Sequence, residues 1–337
     1  MQTGAQWASD IEEGRKPVEL FHGVNIDWLG KKWYFLGFSL LFSIAGIISM
    51  SMHWATIGSP VPLGVDFRGG TQLQVQFQQT PDLEKIRSAV EAAGIKGASI
   101  VNYDVPANHE VLISLPEQTN ETSLDAGRMQ IEGALQAHYP NAFSVRNVQV
   151  VGPTVGRQLE RQAGLATLYS LLGMLVYLWF RFQLIYGVAA VVAVFHDTLI
   201  TVGAFALTNQ EISLTVIAAI LTLVGYSMND TIVVFDRIRE NLRLTRREPL
   251  ADLVNRSINQ TLSRTVLTSG LTFLTVLSLY IFGGQVLRGF SFALVIGILI
   301  GTYSSIAVAA PMLVAWQDWR AQRGKTAALP AAKRTKG

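Results

Sequence analysis

Six stretches of the chain carry no Asp, Glu, Lys or Arg: 165–180, 182–196, 198–210, 212–229, 265–287 and 289–317. A soluble protein of this size needs charged side chains at its surface, and a buried core helix is shorter and keeps one polar face. Crossing a hydrocarbon layer of about 30 Å takes roughly 20 helical residues. The pattern predicts six spans, at 33–54, 163–181, 184–207, 212–235, 264–283 and 289–316, the last tilted or reaching beyond the lipid. The first starts at residue 33, is longer than a signal-peptide core and lacks a small-residue cleavage site, so it reads as an uncleaved span.

Between the first two spans the pattern changes to that of a soluble domain. TQLQVQF at 71–77 alternates as a strand does. Pro81 opens a helix with Leu83, Ile86, Val90 and Ala93 on one face, ended by Gly94. Strands near 98–104 and 110–115 are joined by a Pro-Ala-Asn-His turn at 106–109. A second helix near 121–138 has Leu124, Met129, Ile131 and Leu135 as its apolar positions, and FSVRNVQVV at 143–151 is the last strand. The expected fold is therefore a membrane α-helical protein of six transmembrane helices. One α+β ferredoxin-like (βαββαβ) extracytoplasmic domain lies between helices 1 and 2. In domain terms, 1–32 is a cytoplasmic N-terminal segment, 33–54 the first span, 55–162 the extracytoplasmic domain, 163–316 spans 2–6, and 317–337 a basic tail.

Charge sets the orientation. Arg15, Lys16, Lys31 and Lys32 precede the first span, and Arg181 separates the second and third. Arg237, Arg239, Arg243, Arg246, Arg247 and Arg256 lie in the connection between the fourth and fifth, and Arg320, Arg323, Lys325, Lys333, Arg334 and Lys336 fill the tail. The opposite connections hold only Arg288. By the positive-inside rule both ends are cytoplasmic and the domain is outside. The basic runs read as orientation signals rather than as a nucleic-acid surface. Half of the 337 residues are hydrophobic, 15% are charged and none is cysteine. This excludes a disulfide scaffold, a zinc–cysteine module and a thiolate enzyme. His109 and His138 have no second ligand at useful spacing, so no metal site is expected.

Ionisable residues inside spans are costly, about 2.5–3.5 kcal/mol at mid-bilayer on insertion scales, and mark function. Asp197, with His196 before it, lies midway along span 3, Asp230 lies in span 4, and Arg264 stands at the start of span 5. Tyr226, Asp230, Val233 and Arg237 share one helix face, as do Thr261, Thr265, Thr268, Thr272 and Thr275 beside Arg264. One reading is a proton pathway in which Arg264 approaches and leaves Asp230. The other is a static buried ion pair that holds helices in register. Asp197 is either part of the relay or a hydrogen-bonding partner of a neighbouring helix, and the threonine stripe is either packing or a water path. Asp236 is expected to pair with Arg237 or Arg239. Gly297 and Gly301, followed by Ser304 and Ser305, allow close helix approach. Two intramembrane aspartates also suggest an aspartyl protease, but Ser-Met-Asn-Asp at 227–230 lacks the glycine that such a site requires. No phosphate loop and no nucleophile elbow is present.

Longer motifs carry a resemblance. Gly64-Val65-Asp66-Phe67-Arg68-Gly69-Gly70-Thr71 resembles the segment that opens the extracytoplasmic domain in the SecD/SecF protein-export family. Phe195-His196-Asp197, the run Gly225–Asn241, Ser263-Arg264-Thr265 with Thr268-Ser269, and Gly301–Ile306 are similar to its third to sixth spans, on the SecF rather than the SecD side. The resemblance covers roughly residues 20–318. It implies a non-enzymatic subunit of a bacterial inner-membrane machine, paired with SecD, working with the SecYEG channel and the YajC protein. Such a subunit uses the proton gradient to assist preprotein export, with lipid around it and no cofactor beyond the coupling proton. Asp230, Arg264 and Asp197 would then form the relay, with His196 and Thr268 as helpers. Gly64, Asp66, Phe67, Gly69, Gly70, Gly297 and Gly301 would be structural. The competing expectations are a proton-coupled small-molecule or lipid antiporter of the same superfamily and a passive scaffold for SecD.

Overall fold

The computed structural model describes residues 25–95, 97–103, 109–116, 125–181, 184–245 and 248–323. The leader, most of the 106–109 turn, Leu124, Arg246, Arg247 and the tail beyond residue 323 lie outside the described residues.

Among the described residues, six helices are long and apolar enough to cross a membrane. Span 1 is Lys32–Ile57, span 2 Pro153–Arg181, span 3 Leu184–Thr208, span 4 Leu214–Leu244 and span 5 Leu250–Phe282. Span 6 runs Gly284–Ser304, passes through a π-helical turn at Ser305–Ala309 and continues as Ala310–Gln322. Several helices outrun the predicted spans because hydropathy marks the lipid thickness and not the helix ends. Span 2 starts at Pro153, whose missing N–H costs nothing at a first helical position. Spans 4 and 5 extend away from the domain as a helical hairpin. There the Asn241 amide donates to Ser257 Oγ and Gln260 Oε1, each at 2.8 Å, and Arg237 Nε donates to Gln260 Oε1 at 2.7 Å. Segment 25–31 lies across this hairpin, where Asn255 and Asn259 accept from the backbone of Trp28 and Ile26.

The extramembrane domain has strands β1 (Gly70–Phe77), β2 (Ser99–Asn102), β3 (Glu110–Pro116) and β4 (Phe143–Val151), with helices Leu83–Ala92 and Ala126–His138. The sheet order is β2-β3-β1-β4 with antiparallel neighbours, which fits the split βαβ unit in outline. Alternation places Leu73, Val75, Ile113 and Leu115 on the face covered by Ile86, Val90, Ile131 and Leu135. Met129 is a correction: it is 65% exposed, because the buried stripe of its helix passes through Gly127, Ile131, Ala134 and Leu135.

The membrane helices bury two apolar layers. One gathers Phe67, Phe205, Val216, Leu223 and Leu294 on the domain side. The other gathers Val194, Met228, Phe235, Ile258 and Leu313 on the far side. Small residues bring the helices together: the Cα atoms of Gly46 and Gly203 meet between spans 1 and 3, so that a Cβ at either would lie 3.0 Å or less from the other. Lipid offers no hydrophobic drive between helices, so such close packing takes its place.

Candidate functional site

Between the two apolar layers lies a thin polar layer built from spans 3, 4, 5 and 6. Asp197 on span 3 is fully buried. Its Oδ2 accepts from Ser227 Oγ of span 4 at 2.5 Å and Ser304 Oγ of span 6 at 2.7 Å, and its Oδ1 lies 2.9 Å from His196 Nδ1. Three helices thus meet on one carboxyl. Among the described residues the buried His196 Nε2 has no hydrogen-bond partner.

Asp230, one turn beyond Ser227 on span 4, is 1% exposed. Its Oδ2 accepts from Ser269 Oγ of span 5 at 2.6 Å and from Thr302 Oγ1 of span 6 at 3.3 Å. Among the described residues no ion pair joins Arg264 to Asp230, and Arg264 itself is exposed. Ser269 lies five residues after Arg264 on the same helix.

Span 6 touches both acids through Thr302 and Ser304, and the π turn begins at the next residue, Ser305. Single π turns inside α-helices commonly mark functional positions, because the shifted register frees backbone groups and re-aims side chains. Gly297 and Gly301 make this contact possible. A Cβ at Gly297 would lie 2.4 Å from the Leu223 side chain, and one at Gly301 would lie 3.0 Å from Ser227 Cβ.

The remaining predicted residues fall elsewhere. Thr268 is exposed, and its hydroxyl donates to the Arg264 and Thr265 carbonyls rather than to a carboxyl. Thr261, Thr272 and Thr275 likewise donate to the carbonyl four residues earlier, while the buried Thr265 hydroxyl has no hydrogen-bond partner among the described residues. Asp236 is a correction. It lies 3.9 Å from Arg181 at the end of span 2, while Arg237 turns to Glu240 at 2.6 Å, one helical turn along, and to Gln260. Sequence reasoning missed Ser269, Thr302, Ser227 and Ser304 as carboxyl partners. Their only signal was a hydroxyl on each neighbouring span at about the depth of an acid.

The Gly64–Thr71 motif forms the joint between domain and spans. Gly64 N–H donates to the Ile212 carbonyl at 3.0 Å, and Ile212 N–H to Pro62 at 2.8 Å. Asp66 Oδ2 accepts from the backbone N–H of Leu214, the first residue of span 4, at 2.9 Å, and its Oδ1 accepts from Gln149 of β4 at 3.2 Å. A carboxylate at a helix N-terminus satisfies an orphan N–H and meets the positive end of the helix dipole. Phe67 is buried in the domain-side apolar layer. Gly69 has φ +78°, a conformation that favours glycine, and it packs against Pro153 while Gly156 packs on the Phe67 carbonyl. At the same joint, enclosure raises the Glu211 carboxyl above its ordinary range, opposed by the nearby Arg68 charge.

Residues 130–319 match the family described as protein export membrane protein SecD/SecF, C-terminal, and residues 54–81 match the SecD/SecF GG motif. The chain is 56% identical to a protein translocase subunit SecF of Koribacter versatilis, over 93% of this chain and 96% of that protein. It is 42% identical to the corresponding subunit of Vibrio alginolyticus, over 82% of this chain and 84% of that one. Among solved structures it is similar to SecDF of Thermus thermophilus, a translocon-associated membrane protein, with TM-score 0.78 and 39% identity over 93% of this chain. A super-membrane-facing form of SecDF matches with TM-score 0.70 and 38% identity. This chain spans 41% and 43% of those two solved chains.

Proposed function

The chain belongs to the SecD/SecF family of protein-export membrane proteins, and on that premise we propose that it draws on a proton gradient, together with a SecD-type partner, to assist preprotein export across the bacterial inner membrane. It is a multi-pass membrane protein of the Sec export system. The proposal assigns proton exchange to Asp230, gating to Arg264, and support to Asp197 and His196. The SecYEG channel and the YajC protein are its neighbours, with both termini cytoplasmic and the domain periplasmic.

The observation that carries this reading is the set of groups around Asp230. Its partners are hydroxyls, Ser269 and Thr302, and not a guanidinium or a backbone N–H. A hydroxyl donates to a carboxylate and accepts from a carboxylic acid with equal ease. The site therefore tolerates both protonation states without losing its hydrogen bonds. A direct arginine pair would support only the ionised state. Among the described residues Arg264 forms no ion pair with Asp230, and a positive charge that approaches a carboxyl favours its ionised state. One charge crossing 100 mV releases about 2.3 kcal/mol, so a few protons suffice to bias a domain motion.

The test is late-stage preprotein export in energised membranes containing the SecD-type partner, with and without the proton gradient. Native membranes should lose the gradient-driven part of the rate when the gradient collapses. With Asp230→Asn, export should sit at the collapsed rate from the start, and Arg264→Met should do the same. A gradient response retained by Asp230→Asn would leave the chain a scaffold.

A further inference from the structure

A cleft of about 710 Å³ lies beneath the domain, between the sheet face not covered by its own helices and the adjoining ends of spans 3, 4 and 6. The strands contribute Gln72, Gln74, Ser114, Asn147 and Gln149 among others, and every strand residue that lines it is uncharged. This is unusual for a sheet face in contact with water, since antiparallel sheets turn a polar and often charged face to solvent. The opposite surface of the same domain is charged, with Glu84, Lys85, Arg87, Glu91, Arg128 and Glu132 on its two helices. The same sheet face carries Glu110 and Arg146 just outside the cleft, bonded to Gln74 and Gln76, so the uncharged strip is confined to the cleft itself.

An amide side chain presents a donor and an acceptor together, as each unit of a polypeptide main chain does. Gln72 and Gln74 follow each other at the two-residue period of an extended chain, roughly 7 Å; their Nε2 groups donate to Ser114 at 3.0 Å and Glu110 at 2.9 Å, which leaves their Oε1 atoms as acceptors. Among the described residues, the side-chain amides of Asn147, Gln210 and Gln285 at this cleft have no hydrogen-bond partner within the chain. An anionic ligand is disfavoured, because the rim sets one arginine, Arg288, against Asp66 and Glu211. An apolar segment is disfavoured by the amides.

We propose that this cleft holds an extended, unfolded stretch of the exported polypeptide through its main chain, with little regard to sequence. The inference rests on the export reading above. The cleft is also placed to respond to the membrane site. Its wall includes Leu214 and Thr215, the first turn of the span that carries Asp230, and Asp66 ties that turn to β4 through Gln149.

The experiment places a photo-reactive amino acid at Asn147, and separately at Met129 on the opposite surface, in the full chain with its SecD-type partner. Two preproteins of unrelated sequence are stalled midway through export and irradiated. Asn147 should form adducts with both, about tenfold above Met129. The proposal is overturned if Asn147 reacts no better than Met129, if it reacts only with the SecD-type partner, or if it captures one preprotein and not the other. Adduct formation reports contact and not proton movement. Missing adducts with a normal gradient response overturn the cleft alone, while full adducts with no gradient response in the native protein overturn the proton reading alone.

Discussion

Asp197 and Asp230 are both acids buried in the middle of apolar helices, and they are held in different ways. Asp197 receives His196, Ser227 and Ser304, all at 2.9 Å or less, and so ties spans 3, 4 and 6 together. Asp230 receives Ser269 at 2.6 Å and Thr302 at a looser 3.3 Å, with an arginine near but unpaired. A carboxyl that completes the hydrogen bonding of three helices is a structural joint, because any change leaves several buried groups unsatisfied. A carboxyl held by a few adaptable hydroxyls can change state without disturbing the packing. On the proposed reading, the difference separates architecture from chemistry within one polar layer.

That contrast can be broken by measurement. The largest effect is expected from Asp197→Ala, which leaves two buried hydroxyls and an imidazole without their acceptor. A loss on the order of 3–5 kcal/mol should appear as a lower melting temperature in detergent, with Asp230→Ala clearly milder. Equal losses at the two positions would erase the distinction. Next comes Gly301→Ala, whose new methyl would press on Ser227 Cβ at 3.0 Å. It should cost roughly 1–3 kcal/mol in the same melt, by overpacking the span 4–span 6 contact. Thr302→Val keeps the shape and removes one hydroxyl from Asp230. It should change melting by only about 0.5–1.5 kcal/mol while weakening the gradient response of export. An effect of similar size on melting, with no loss of the gradient response, is expected at the joint. Asp66→Ala should cost about 1 kcal/mol through the lost contact with the start of span 4, and Asp66→Asn, which keeps an acceptor, should recover most of it.

Much of this architecture was legible because lipid is an unforgiving solvent. Charge-free runs mark spans, and any acid within them stands out, as Asp197 and Asp230 did. The strand–helix order of the domain followed from the alternation at 71–77 and the punctuation of Pro81 and Gly94. The partners were not legible. Ser269 differs in no local respect from Thr268 beside it. Only the rotation of span 5 decides that Ser269 faces Asp230 while Thr268 faces outward. Asp236 was assigned to its nearest arginines in sequence, but the hairpin between spans 4 and 5 gives Arg237 to Glu240 and Gln260 and leaves Asp236 to Arg181. Helix ends escaped hydropathy for the same reason: spans 2, 4 and 5 continue into water, where amides and ion pairs replace apolar packing.

The central claim is that Asp230 takes up and releases protons. The most direct measurement is proton entry into sealed vesicles that contain this chain and its SecD-type partner, followed with a pH-sensitive dye under an imposed gradient. Flux should be present in the native pair and absent with Asp230→Asn, although the variant assembles and melts like the native protein. Undiminished flux through the assembled Asp230→Asn pair would contradict the account.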